Sequence, residues 1–262
     1  MDSDVIVVGA GVAGLTAATY TARAGLDTTV VSEGEPILAR NAHLENVPGF
    51  PLGVNARTFL ELCREGAEEH GVTLAEGRVT RVAPLGDKGR AGHDGEADAG
   101  FLVRTADGED RTASFVMAAS WSDTSYLDEV DGVGLVDRGS KTYVDVDDFG
   151  RAGPDGLYAA GRIAEKPHQT VVCAGHGAEV ALTLIEDSDV PYYHDWVAPE
   201  GYFTERGREI PPGCEEIDEA ERRERERAAN ERMRAAFAEP QSEPPTMHPS
   251  VVASRDDADA ER

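Results

Sequence analysis

The chain has 262 residues, 29% of them charged, and a formal net charge of −25 at neutral pH. Only three lysines stand against 22 arginines and 50 acidic residues. Without a basic stripe to neutralise phosphates, nucleic acid and anionic membrane surfaces are excluded as partners. The selective lack of lysine favours a salt-adapted, halophilic protein over an ordinary acidic one, because carboxylates keep a surface hydrated at molar salt.

The first residues are acidic and lead directly into an apolar run, which does not indicate a signal peptide. No apolar run reaches membrane-spanning length, so we expect no membrane insertion. Cys63, Cys173 and Cys214 are too far apart in sequence for a CxxC redox pair or a metal-type spacing. These features predict a cytoplasmic protein without a metal site.

The N-terminal thirty residues have the pattern of a βαβ unit. Residues 4–8 are a run of β-branched residues that ends in glycine, which is typical of a buried parallel strand. The alanine-rich stretch 12–24 predicts a helix that ends at Gly25. Residues 28–32 predict the second strand.

Alternating strand and helix patterns continue to residue 187. An amphipathic helix is predicted over 58–70 with Thr58 as its cap, and a last helix over 171–186. Residues 86–100 are expected to form a surface loop between strands. Further strands are predicted near 72–74, 78–82, 101–105, 114–119 and 141–146.

The C-terminal part has a different composition. Residues 190–203 contain five aromatic residues, and 215–237 form a charged run that predicts a helix with many Glu–Arg pairs. Residues from 239 onward have the composition of a disordered tail. We therefore divide the chain into a domain at 1–187, an extension at 188–238 and a tail at 239–262.

A glycine fingerprint lies between the first strand and the first helix. Gly9 permits the tight turn, Gly11 allows the backbone to approach a pyrophosphate, and Gly14 lets helix and strand pack closely. The free amides at the helix start, around Ala10 and Ala13, favour phosphate binding. Glu33 follows the second strand, where it is expected to bind the adenosine ribose, and an acid there disfavours NADP. The motif alone leaves FAD and NAD open.

Four stretches resemble the FAD domain of the thioredoxin reductase-like flavoproteins, in the pyridine nucleotide–disulfide oxidoreductase superfamily. They are residues 4–18, the Asn-x-Pro-Gly loop within 44–51, the strand 116–120, and the glycine-rich segment from 156 through 170 to 181. This resemblance implies FAD as cofactor and a homodimer formed through the FAD domain. The implied fold class is α/β: a single Rossmann-like FAD-binding domain (parallel sheet with helices plus a small antiparallel β layer) with an α-helical or disordered C-terminal extension.

The resemblance also implies roles for individual residues. Asn46 would lie near the flavin, and Val79 would offer backbone contacts to adenine. Gln169 and Thr170 would sit beside the isoalloxazine, and Gly161 would approach the ribityl and pyrophosphate groups. Asn46 as a turn cap and Gln169 as a solvated loop residue remain the structural alternatives.

Three departures from the family pattern bear on function. Only about forty residues, 121–160, separate the two segments between which family members carry a second nucleotide-binding domain, and forty residues cannot form one. The CxxC is absent. Arg162 replaces the aspartate that binds FAD in the family, and because arginine only donates hydrogen bonds, we expect it to contact the pyrophosphate.

These features predict an FAD-dependent oxidoreductase that takes electrons from a separate protein or from free, weakly held NAD(P)H and is not a thioredoxin reductase. The alternatives are a non-catalytic redox sensor or assembly scaffold and, more weakly, a thiazole synthase-like enzyme. The aromatic segment 190–203, from the same chain or a dimer partner, is a candidate cover for the flavin. Cys173 is a weak candidate for a redox role, and His43, His168 and His176 for proton transfer. No catalytic residue is assigned.

Overall fold

The computed structural model describes residues 1–85, 100–192 and 194–252. The predicted loop at 86–100 lies outside this part of the chain, apart from its last residue. Eleven strands and four helices occur in the described residues: β1 Ser3–Val8, α1 Val12–Arg23, β2 Thr28–Ser32, α2 Ala56–Glu69, β3 Thr73–Glu76, β4 Val79–Pro84, β5 Phe101–Thr105, β6 Asp110–Ala118, β7 Leu135–Arg138, β8 Lys141–Val144, β9 Leu157–Ala159, α3 Thr170–Asp187, β10 Trp196–Pro199, β11 Cys214–Ile217 and α4 Glu219–Ala236.

The main sheet has seven strands and two kinds of pairing. The strands β3, β2, β1, β6 and β9 are parallel neighbours in that order. The N-terminal half of β6 instead pairs with β5, and β5 with β4, both antiparallel. The predicted α/β fold, a parallel sheet with a small antiparallel layer, is confirmed.

The helices α1 and α3 pack against each other on one face of the parallel sheet. Their close approach depends on Gly177, because a Cβ there would overlap the carbonyl oxygen of Ala13. The strand residues Val5, Val7 and Met117 are fully buried beneath these helices. This packing holds the start of α1 beside the start of α3, at the edge where the parallel strands end.

The bounds of β1, α1 and β2 agree closely with the predicted βαβ unit. The helix α2 differs from its prediction in the residue that caps it. The helix α2 begins at Ala56, two residues before the predicted start, because the Asn55 side chain accepts hydrogen bonds from the amides of Arg57 and Thr58. Thr58 therefore lies inside the helix and is not its cap. Asparagine and threonine are both good cap residues, and the local sequence did not discriminate between them.

The aromatic part of the C-terminal extension forms a small unit with β10 and β11. Trp196 stacks edge-on against Tyr202 and Phe203, with ring centroids 4.6 and 5.7 Å away. The Glu216 carboxylate accepts hydrogen bonds from three backbone amides in 201–204, which lower its pKa to about 2. Strand β11 occupies 214–217, so the predicted charged helix begins later, at Glu219.

After α4 the chain returns along α2. The Phe237 ring lies 6.1 Å from Phe50, and Gln241 donates to Glu61 at 2.8 Å. Farther on, the Thr246 amide donates to the Ala39 carbonyl at 3.1 Å. Residues 241–246 thus contact the domain. Residues 253–262 of the predicted tail lie outside the described part.

The described residues, 1–85, 100–192 and 194–252, lack two features. No helix among them is long and apolar enough to cross a membrane. Within the same residues, no group of three or more His, Cys, Asp or Glu side chains has an arrangement that could hold a metal ion.

Candidate functional site

A cavity lies at the carboxyl ends of the parallel strands. The strands β1, β2, β6 and β9 run in the same direction, so the segments that follow them meet at one edge of the sheet. The cavity there has a volume of about 370 Å³. Its lining contains these predicted site residues: Gly9, Ala10, Gly11, Ala13, Glu33, Val79, Arg162, Gln169 and Thr170.

The glycine loop shapes one end of this cavity by close backbone contacts. Gly9 has φ +114°, and a Cβ there would lie 2.8 Å from the Ala119 carbonyl oxygen. Gly14 lies behind the loop and is not in the lining. A Cβ on Gly14 would overlap the carbonyl oxygen of Gly9, so only glycine fits there. A Cβ on Gly11, in contrast, would meet no protein atom within 4 Å, so its place is open to the cavity.

The start of α1 fits a phosphate group. Gly11 occupies the N-cap position without a side-chain hydrogen bond, and the first turn holds no acidic residue. The first amides of α1 therefore have no acceptor from a capping side chain and can donate to a bound group. The positive end of the helix dipole favours an anion there. The open cradle at Gly11 and these amides together fit a pyrophosphate.

Glu33 and Val79 flank the adjoining part of the cavity. The Glu33 carboxylate is exposed and has no hydrogen-bond or ion-pair partner among the described residues. Val79 is buried at the start of β4, next to Gly77 and Arg78 in the lining. An unpaired acid beyond β2 suits the hydroxyl groups of a ribose, as the sequence predicts.

A part of the wall that the sequence did not predict lies at 35–38. Glu35 forms an ion pair with Arg57, and both side chains hydrogen-bond to Thr246. These bonds lower the pKa of the Glu35 carboxyl. The partners are up to 211 residues apart in sequence, and no local motif could have indicated their contact.

The Asn-x-Pro-Gly loop meets the start of α3. The Asn46 side-chain amide donates to the Gln169 Oε1 at 2.9 Å. Asn46 itself is exposed and lies outside the lining, and Gln169 and Thr170 are within it. The two segments that the resemblance brings to the flavin are thus in contact.

Arg162 lines the same cavity and is held by neutral groups. Its Nη1 donates to the Lys166 carbonyl at 3.2 Å, and its Nη2 bonds to the Tyr143 hydroxyl. The guanidinium Cζ lies 4.6 Å from the Tyr143 ring centroid. Its Nε is buried and has no hydrogen-bond partner within the described structure. A buried donor without an acceptor is costly, and a phosphate oxygen would satisfy it.

His176 and Cys173 have structural roles in this arrangement. The Nδ1 of His176 accepts the Gly161 amide at 2.9 Å, and burial, assisted by the Lys166 charge, lowers the pKa of His176 to about 4. Gly161 lies behind the lining, with the position of a Cβ 2.6 Å from the Ala13 side chain. Burial raises the pKa of the Cys173 thiol, which bonds to the Pro167 carbonyl. A raised thiol pKa is the opposite of what a redox-active thiolate requires.

The aromatic segment 190–203 is remote from the cavity on its own chain. Asp195 pairs with Arg23 at the C-terminal end of α1, with atoms 2.6 Å apart. The cavity adjoins the N-terminal end of that helix, and a 12-residue helix is roughly 18 Å long. A cover for the flavin by this segment of the same chain is therefore contradicted; the dimer-partner version of the hypothesis is untouched by this contact.

The comparisons with known proteins agree with this geometry. Residues 4–44 match a family model described as an FAD binding domain. A thioredoxin reductase of Aquifex aeolicus is 42% identical over 78 residues, covering 29% of this chain and 24% of the relative. One from Treponema pallidum is 32% identical over 121 residues, covering 45% and 35%. The chain thus matches about a quarter to a third of these relatives' length.

Solved structures show the same fold. A thioredoxin reductase from Gloeobacter violaceus superposes with a TM-score of 0.59 at 18% identity, over 71% of this chain and 95% of that one. One from Streptococcus pyogenes gives 0.60 at 14% identity, over 71% and 97%. The fold and site define a dinucleotide-binding flavoprotein domain. The chain is thioredoxin reductase-like in this domain, and the cofactor that the matches indicate is FAD.

Proposed function

We propose that this protein is an FAD-dependent oxidoreductase that receives electrons from a separate donor. The observation that carries the proposal is the continuity of one cavity from the glycine loop, through Arg162, to Gln169 at the start of α3. FAD bound in such a cavity supplies two-electron chemistry. The protein supplies the binding, the orientation and the electrostatic surroundings.

Each part of the cavity has a proposed task. The backbone at Gly9–Gly14 and Arg162 bind the pyrophosphate, with Gly161 supporting that segment from behind. Glu33 accepts hydrogen bonds from the ribose, and Val79 contacts adenine. Asn46, Gln169 and Thr170 hold the flavin end, where the 2.9 Å bond between the first two fixes the loop against α3.

The separate donor is inferred from what lies between β6 and β9. Those residues, 119–156, are all described and contain a two-stranded hairpin, β7 with β8, and a short turn of 3₁₀-helix at Ser125–Leu127. A hairpin of this size cannot bind a second dinucleotide as a domain would. Together with the lack of a CxxC in the sequence, this supports an activity other than thioredoxin reduction.

An anaerobic reduction assay tests the proposal. NADH, NADPH or a reduced ferredoxin is added to the FAD-loaded protein, and loss of flavin absorbance is followed. We expect rapid bleaching with at least one donor and recovery of absorbance when an acceptor is added. A flavin that dithionite bleaches but none of these donors reduces would overturn the enzyme assignment.

The second candidate is a non-catalytic redox sensor or scaffold, and helix α4 favours it. None of its residues is buried, and its Glu–Arg pairs at i,i+3 and i,i+4 support it in solvent. Such a helix is available to a partner protein. A bound flavin that no donor reduces, combined with loss of a co-purifying partner when 219–236 is deleted, is the result that this candidate predicts.

We also propose a salt-adapted, cytoplasmic homodimer. The net charge of −25 supports salt dependence, and the likeness to thioredoxin reductases supports pairing through the FAD domain. Circular dichroism through a salt titration tests the first point, with full folding at low salt as the contrary result. Sedimentation at molar salt tests the second, with a monomer as the contrary result.

A further inference from the structure

Three cations near the cavity have no carboxylate partner. Most arginines in the described residues form ion pairs with Asp or Glu. Lys141, Lys166 and Arg162 have no carboxylate oxygen within 4.0 Å in the described structure, a property that they share with a few arginines elsewhere, such as Arg64 and Arg234. Their position beside the cavity of so acidic a protein is what points to contact with an anion.

Two of these cations lie against one aromatic ring. The Lys141 Nζ lies 4.8 Å from the centroid of the half-buried Trp121 ring, and the Arg162 Cζ lies 5.9 Å from it. The His168 ring stands edge-on to the same indole, with centroids 5.5 Å apart. Trp121, Arg162 and His168 line the same cavity as Gln169, whereas Lys141 lies behind the lining and contacts the Trp121 ring. The cluster is therefore part of the wall of the cavity in which the flavin is proposed to lie.

The ligand that fits this cluster is a small, planar anion. A flat indole offers stacking area, and the ammonium and imidazole groups beside it offer donors to a phosphate, sulfonate or carboxylate group. An acidic protein fits less well, because a partner of that size would meet the negative field of the whole surface. A small anion within the cavity mainly experiences the nearby cations.

We propose that Trp121, Lys141 and His168 form a second binding site for a planar anionic acceptor of the quinone class, which would be reduced to its hydroquinone by two electrons and two protons from reduced FAD, the flavin being reoxidised. The site takes the anionic group at Lys141 and His168 and the ring against Trp121. The inference rests on the proposed oxidoreductase function and names the chemical class of its small-molecule partner.

Tryptophan fluorescence measures this binding without any turnover. Trp196 is the other tryptophan and belongs to the remote aromatic unit, so W196F leaves Trp121 as the sole reporter. In that background, with saturating FAD, quenching is titrated with 1,4-naphthoquinone-2-sulfonate and with neutral 1,4-naphthoquinone at one fixed salt concentration. We expect the sulfonate to bind about tenfold more tightly, because a charge-assisted hydrogen bond stabilises only the anion.

Charge variants assign the effect to the cluster. Lys141→Gln should weaken the affinity for the sulfonate about five- to tenfold and change the affinity for the neutral quinone less than twofold. Lys141→Arg should restore the affinity for the sulfonate. Arg227→Gln on α4 removes the same charge from an exposed ion pair and should change neither affinity. Each variant is compared only if its circular dichroism equals that of the parent.

Three results overturn the proposal. One is equal binding of the two quinones, and another is a Lys141→Gln variant with unchanged sulfonate affinity. The third is a loss of FAD affinity as large as the loss of sulfonate affinity, which would assign the cations to the cofactor's own phosphates. These three results can be distinguished from a failure of the proposed oxidoreductase function. That failure would be observed as a protein without bound flavin, or as a flavin that no donor reduces.

Discussion

Two parts of the nucleotide cavity are built in different ways. At the glycine loop, backbone atoms approach so closely that a Cβ at Gly14 would overlap the Gly9 carbonyl. Around Trp121, side chains form the wall: the Lys141 Nζ lies 4.8 Å and the Arg162 Cζ 5.9 Å from the centroid of the Trp121 ring. The first arrangement recognises a feature common to all dinucleotides, whereas the second can vary with the redox partner. Binding and specificity are thus assigned to separate parts of one cavity.

The largest expected effect comes from paired substitutions in the glycine loop. Gly14→Ala places a methyl group on the Gly9 carbonyl and should destabilise the fold by several kcal/mol, about 3 or more. The methyl group of Gly11→Ala would meet no protein atom, so stability should be unchanged. The same methyl group enters the phosphate cradle and should weaken the affinity for FAD at least about tenfold. Thermal unfolding and FAD titration separate the two outcomes. Equal FAD affinity for Gly11→Ala and the parent would contradict this assignment of the cradle.

The next largest effect is a pH dependence from His176. Its folded-state pKa of about 4 lies below the ordinary value of 6.5, so the folded protein binds fewer protons than the unfolded chain between these values. The contribution of His176 to the free energy of unfolding therefore has its full value above pH 6.5. It should fall by up to about 3 kcal/mol as the pH drops through 4.

Denaturant unfolding at several pH values between 4 and 7.5 measures this term. The parent is compared with His176→Gln, whose amide oxygen can still accept the Gly161 amide but does not titrate in this range. The stability difference between them should narrow or reverse as the pH falls. Parallel curves would show that His176 is not held neutral by the Gly161 turn.

A smaller effect is expected at Arg162. Arg162→Asp removes a hydrogen-bond donor beside the phosphate site and introduces an acid there. This change should weaken the affinity for FAD about tenfold. Equilibrium dialysis of FAD against parent and variant is a suitable measurement, with Arg227→Asp, in an exposed ion pair on α4, as the control for charge. Unchanged or tighter binding in Arg162→Asp would mean that the guanidinium does not contact the pyrophosphate.

The smallest effect concerns the C-terminal contact with the cavity wall. Thr246→Val removes the hydroxyl that bonds to both Glu35 and Arg57, all near the surface. Exposed polar contacts contribute little, so we expect a loss of less than about 1 kcal/mol in stability and a change in FAD affinity within twofold. Thr204→Val serves as a control in the aromatic unit. A large loss of FAD affinity at Thr246 would mean that this segment holds the pocket closed.

Local patterns predicted the glycine-loop end well. Gly9, Gly11 and Gly14 each have a geometric reason that acts within a few residues, and β2 follows its predicted bounds because its β-branched residues are fully buried. The resemblance then indicated Asn46 and Gln169, which are 123 residues apart and in contact. Both kinds of inference succeed where the constraint is local or is shared with related proteins.

The remaining features depend on contacts between distant segments. No spacing rule brings Thr246 to Glu35, and the side chains around Trp121 come from two separate connections, β6–β9 and β9–α3. The docking of 190–203 against α1 rests on the pair between Asp195 and Arg23, which are 172 residues apart. Such contacts are set by tertiary packing, and a single sequence carries little signal for them.

The most direct test of the central assignment is to identify the flavin and locate it by substitution. The protein is purified at high salt and passed through a desalting column, and its visible spectrum is recorded before the cofactor is released by heat and chromatographed. We predict flavin bands near one equivalent per chain and FAD as the released species, both lost in Gly11→Ala. A colourless protein that also fails to take up added FAD, or a Gly11→Ala variant with full flavin content, would contradict the assignment of this cavity.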